Sequence, residues 1–164
     1  MTLAEWNAME AEAAAGAVLP CCESVAWAQA LAARRPFASF AELSEASDRV
    51  WWSLSGQEWQ QAFDSHPRIG EQHARTATVE SLRSSAEEQS GVEDAARDAL
   101  RAANAQYEQR FGRVFIVRAA GRTAAEILAI LKQRLANDDA MELREAAEQQ
   151  RQITQLRLKK WFNG

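Results

Sequence analysis

A chain of 164 residues, 47% apolar and 26% charged, has the size and composition of one globular domain and excludes a disordered or fibrous protein. Its net charge of −4 leaves no basic face for duplex nucleic acid. The longest apolar stretch, around residues 115–120, is far too short to cross a bilayer.

The N-terminal run Met1-Thr2-Leu3-Ala4-Glu5-Trp6 has no basic region followed by an apolar one, so no signal peptide is indicated. Four Ser/Thr-x-x-Glu boxes mark helix starts at Thr2–Glu5, Ser39–Glu42, Ser55–Glu58 and Thr123–Glu126. In such a box the hydroxyl accepts from an orphan backbone N–H while the Glu reaches back. Apolar residues follow at helical spacing. Leu3, Trp6 and Met9 share a face, as do Phe40, Leu43, Ala46 and Val50, and then Trp59 and Phe63. Further along come Leu100, Ala103, Tyr107 and Phe111, then Ile127, Leu128, Leu131 and Leu135. The last stripe is Leu143, Ala146, Ile153, Leu156 and Lys160.

Breaks are expected at Gly16–Pro20, Pro36, Pro67–Gly70, Gly91, Gly112 and Gly121. The pattern predicts an all-α fold, a single compact domain over residues 1–164 with about seven to eight helices. Only Val114–Val117 resembles a strand, and a lone strand has no sheet to join. It is expected to run extended, with backbone groups in need of partners. Cys21 and Cys22 are adjacent, which argues against a bridge between them, and they are read as reduced thiols of a cytoplasmic protein.

Three segments carry more than core filling. In Ser65-His66-Pro67-Arg68-Ile69-Gly70 the proline biases His66 out of the helical region, so the imidazole stands where a helix stops. That is either a plain stop signal or a stiff mount for a general acid or base. Ser85, Glu88 and Gln89 project together on a helix. They form either a solvated face or a polar wall able to orient an imidazole and bind a heterocycle. The third segment runs from Phe111 through Gly112 and Arg113 to Ala119. Its backbone groups meet either helix termini or the amide edges of a ligand. Arg157, beside the last apolar stripe, is within reach of a carboxylate or simply solvated. His66 and His73 are separated by Pro67 and Gly70, so no metal site is expected from them. Phosphate loops, G-x-S-x-G and C-x-x-C motifs do not occur in the sequence.

Taken in order, these segments resemble the 2-oxo-4-hydroxy-4-carboxy-5-ureidoimidazoline (OHCU) decarboxylase family. The resemblance begins at Leu19-Pro20-Cys21-Cys22-Glu23-Ser24, Trp27-Ala28 and Arg35-Pro36-Phe37. It continues through Trp51, Trp59, His66-Pro67-Arg68-Ile69-Gly70 and Ser85-x-x-Glu88-Gln89-x-Gly91. Asn104-x-x-Tyr107, Phe111-Gly112-x-x-Phe115, Ile127-Leu128, Arg134-x-x-Asn137, Glu142 and Arg157 complete it. It implies an all-α lyase without a cofactor that turns OHCU into (S)-allantoin and carbon dioxide, the last step from urate to allantoin. It also suggests a homodimer. By the same resemblance His66 is the catalytic histidine with Glu88 as its partner, and Pro67, Ser85 and Gln89 contact substrate. Phe115, Ile116, Val117, Arg118 and Ala119 offer backbone groups, and Arg157 is the basic residue at the pocket. Arg113 and Arg118 depart from the family pattern, which favours an aromatic and a small residue there. The competing readings are a helical interaction module without catalysis and a different small-molecule hydrolase or lyase.

Overall fold

The computed structural model describes residues 1–68 and 79–163, with side chains for residues 1–68 and 94–163. Among these, eight α-helices follow one another: α1 (Leu3–Asn7), α2 (Ala11–Val18), α3 (Val25–Ala33), α4 (Phe40–Ser53), α5 (Gly56–Asp64), α6 (Val79–Phe111), α7 (Ala124–Arg134) and α8 (Asp139–Asn163). A 3-10 turn, Leu19–Cys21, links α2 to α3. The described residues contain no strand, and the fold is all-α.

Caps explain where these helices begin. Thr2 and Ser55 each accept from the N–H three residues on, and Glu5 and Glu58 accept from the cap N–H in return. At α4 only half of the box forms as read: Ser39 accepts from the Glu42 N–H, but Glu42 accepts from Ala38 instead. Thr123 likewise accepts from the Glu126 N–H at the start of α7. One expected break does not occur. α2 ends at Val18, inside the expected Gly16–Pro20 break, but α6 runs through Gly91 without interruption. One glycine costs a helix about 1 kcal/mol, too little to stop one of this length.

The chain divides into two compact units, Met1–Ser65 with Ala147–Gly164, and His66–Ala146. In the first, α2 packs on α3 and α3 on α4 around Trp6, Trp27, Leu31, Leu43, Trp51 and Phe63, all fully or almost fully buried. Indole N–H groups would be costly to bury unpaired. Trp6 donates to the Ala14 carbonyl (2.9 Å), Trp27 to Ser47 Oγ (3.1 Å) and Trp51 to the Ala147 carbonyl (2.9 Å). Arg35 closes the end of α1, donating to the carbonyls of Trp6, Asn7 and Met9.

On α8 the apolar stripe read from the sequence is only partly the buried one. Leu156 and Lys160 are exposed, while Ala147, Gln150, Thr154 and Leu158 are buried. Two of its buried polar residues bond each other, Gln150 Nε2 donating to Thr154 Oγ1 (3.1 Å). In the second unit α6 packs on α7 around Leu100, Ala103, Tyr107, Phe115, Val117, Ile127 and Leu131.

Candidate active site

α5 ends at Asp64, and Ser65 caps it by donating from Oγ to the Ala62 carbonyl (2.7 Å). His66 and Pro67 follow outside the helix, both half-buried. The imidazole is thus neither sealed in a core nor fully solvated. Next in the chain, Arg68 forks onto Glu108 of α6, Nε to Oε1 at 2.7 Å and Nη2 to Oε2 at 3.0 Å. A two-pronged pair fixes direction as well as distance, so the residue two beyond His66 is tied to α6.

Ser85, Glu88 and Gln89 lie on α6, but their side chains are outside the described residues, as are His73 and the Ile69-Gly70 pair. Arg157 is half-buried on α8 in the first unit. There its charge bears on Cys21 and Cys22, both free and buried. Burial pushes Cys21 up to about 11 and Cys22 up to about 12; the Arg157 guanidinium partly opposes it at Cys21, and hydrogen bonds with Thr154 and Ser24, then Arg157, do so at Cys22. These thiols stay protonated at neutral pH and have no nucleophilic thiolate to offer. Among the described residues no group of three or more His, Cys, Asp or Glu is arranged to hold a metal ion.

The segment between Gly112 and Gly121 is held in an unusual way. Both glycines have left-handed φ, +71° and +77°, which lets the chain leave α6 and turn into α7 at little steric cost. Phe115, Ile116 and Val117 are 1%, 2% and 3% exposed, and the side chains of Phe115 and Val117 enter the core cluster of the second unit. Arg118 is half-buried and Ala119 exposed. Arg113, one departure from the family pattern, lays its guanidinium 5.8 Å from the centre of the Phe111 ring.

Two carbonyls of the segment are taken. Ala119 accepts from the Arg122 N–H (3.1 Å), and Ile116 accepts from Arg134 Nη1. The N–H groups of Phe115, Ile116 and Val117, by contrast, donate to none of the described residues. Buried backbone donors are paired in the great majority of cases, and these three have no acceptor among the described residues.

Arg134 belongs to a knot that the sequence reading left without a role. Glu142, fully buried, accepts from Tyr107 Oη at 2.6 Å, from Arg134 Nε at 2.8 Å and from Arg134 Nη2. Its second oxygen accepts from Asn137 Nδ2 at 3.1 Å. The Arg134 guanidinium also sits 4.5 Å from the centre of the Phe115 ring. Burial first, and the Glu142 carboxylate second, hold the Tyr107 phenol well above its usual range. No spacing in the sequence announces this cluster, because its members sit on three helices and a connection. The available signal was Tyr107 within one apolar stripe, with Arg134, Asn137 and Glu142 beside the next two.

The described residues thus offer all-helical packing, a histidine just past a proline-stopped helix end and a buried segment whose amides meet no described acceptor. The OHCU decarboxylase family matches residues 7–159, and the chain belongs to that family. It is 34% identical to the "Uric acid degradation bifunctional protein TTL" of Arabidopsis thaliana over 87% of this chain, spanning 45% of that protein. It is 27% identical to the 2-oxo-4-hydroxy-4-carboxy-5-ureidoimidazoline decarboxylase of Haloferax volcanii, covering 100% of this chain and 98% of that one. Among solved structures, an OHCU decarboxylase crystallised in the presence of (S)-allantoin superposes with a TM-score of 0.75 at 31% identity, covering 95% of this chain and 100% of that one.

Proposed function

We propose that this chain decarboxylates OHCU to (S)-allantoin and carbon dioxide in urate degradation, as a single functional domain without a cofactor. The observation that carries the reading is the family match over residues 7–159, and the unmatched amides of Phe115, Ile116 and Val117 support it. In the reaction the bond from the hydroxyl-bearing ring carbon to the carboxylate breaks and carbon dioxide leaves. The electron pair passes into the adjacent ring imine, whose nitrogen takes up a proton, the hydroxyl gives up its proton to become the ring carbonyl, and one face of the neighbouring carbon gains a proton. One proton is taken up overall. The ring itself delocalises the charge, so the protein's part is to stabilise that charge and direct the proton.

His66 mediates the proton transfer and Glu88 sets its tautomer or basicity. Pro67, Ser85, Gln89 and Arg157 hold the ring, ureido group and carboxylate, and residues 115–119 supply backbone contacts. General acid–base help is worth about 10²–10⁴-fold. Incubation with freshly generated OHCU should therefore give one allantoin enantiomer. His66→Asn should remain folded and lose at least about 100-fold in kcat. A racemic product, matching uncatalysed decay, overturns the function; a single enantiomer with His66→Asn at full rate overturns only the role of His66.

The protein acts in the cytoplasm as a homodimer. No helix among the described residues is long and apolar enough to cross a membrane. Leu156 and Trp161 of α8 are 43% and 38% exposed, a large apolar display that a second copy would cover. Sedimentation velocity should give twice the 18.2 kDa chain mass; a monomer at assay concentration contradicts the dimer.

A further inference from the structure

We infer that Arg134 is a positioning residue that aims the Val117 N–H at the substrate. The inference rests on the reading of residues 115–119 as a substrate-contacting segment and extends it to a residue with no substrate contact of its own. The Ile116 carbonyl and the Val117 N–H belong to one peptide unit, and in a trans unit they point in opposite directions. Among the described residues the only cis bond is Arg35–Pro36, so this unit is trans. Arg134 Nη1 binds the Ile116 carbonyl, which turns the Val117 N–H away from the Arg134–Glu142 knot. That N–H has no acceptor among the described residues.

The holder is rigid. Arg134 is 4% exposed, and its Nε and Nη2 donate to the fully buried Glu142. Glu142 in turn is fixed by Tyr107 and Asn137. A side chain so constrained cannot follow a drifting carbonyl, so the peptide plane of residues 116–117 keeps one orientation. A simple buried ion pair between Arg134 and Glu142 would need no third bond to the backbone of this segment. The third bond is what links the knot to the site.

Two variants test the assignment. Arg134→Lys keeps a cation against Glu142 but loses the fork that reaches Ile116 at the same time. The triple variant Tyr107→Phe, Arg134→Met, Glu142→Leu replaces the whole knot with apolar groups and guards against simple unfolding. In each, kcat/KM for OHCU should fall about tenfold, what one hydrogen bond at a binding site is worth. The fall should be carried by KM, with the midpoints of the pH profile unmoved because His66 is untouched. Amide exchange supplies the second readout. (S)-Allantoin should slow exchange of the Val117 N–H in the wild type and lose that effect in both variants. No slowing in the wild type overturns the underlying reading of the segment. Full slowing and an unchanged KM in folded variants overturn the role of Arg134 alone.

Discussion

Glu142 accepts three hydrogen bonds on one carboxylate oxygen and one on the other while fully buried. Taking such a charge out of water is expensive, and only its partners offset the expense. Removing one partner should therefore be far worse than removing all. Glu142→Leu leaves the Arg134 guanidinium buried beside an apolar side chain. It should lower stability by about 3–5 kcal/mol, read as a drop in the urea midpoint at constant m-value. The triple apolar replacement should stay near the wild type on the same measurement. If the single variant matches the wild type, the knot is not the stabilised unit its geometry describes. The exposed pairs behave differently: Arg49–Glu45, 77% and 71% exposed at the side chain, belongs to a class worth about 0–1 kcal/mol.

The segment between α6 and α7 depends on its two glycines as much as on its buried side chains. At Gly112 nothing lies within 4 Å of where a Cβ would stand, and φ is +71°. A substitution there meets no neighbour, so its effect is purely that of backbone strain. Gly112→Ala should cost about 1–2 kcal/mol, the penalty of a left-handed residue with a Cβ. Gly112→Asn should cost less, because a short polar side chain tolerates that region. Thermal unfolding of the pair measures the difference. Equal losses would point to a cause other than φ, while a parallel rise in KM for both would show that the turn also sets the position of residues 115–117.

Across the whole chain, local chemistry was legible in the sequence and long-range polar chemistry was not. Caps at Thr2, Ser39, Ser55 and Thr123, and the stop after α5, depend on neighbours within a few residues, so spacing sufficed. Gly91 misled because a penalty of about 1 kcal/mol is small against the cooperativity of a long helix. On α8 an apolar-pattern reading chose Leu156 over the buried Gln150 and Thr154, since polar residues that bond each other are invisible to hydropathy. Arg134 and Glu142 appeared only as family motifs, because their meeting with Tyr107 and Ile116 is made by folding alone.

Folding also brings acid–base consequences that composition does not announce. Cys21, Cys22 and Tyr107 are each an acid whose neutral form is favoured by burial, so each folded pKa lies above its unfolded value. The unfolded chain then releases these protons first as pH rises. The stability they contribute is complete below the unfolded thiol value of 9.0 and is lost as pH climbs through about 11 and 12. Each group adds a downward slope of up to about 1.4 kcal/mol per pH unit within its window. Urea unfolding between pH 8 and 11 should show stability falling from about pH 9 onward, and more gently in Cys22→Ala. A flat profile over that range, or the same slope with and without the thiol, would mean that burial of Cys22 does not govern its ionisation.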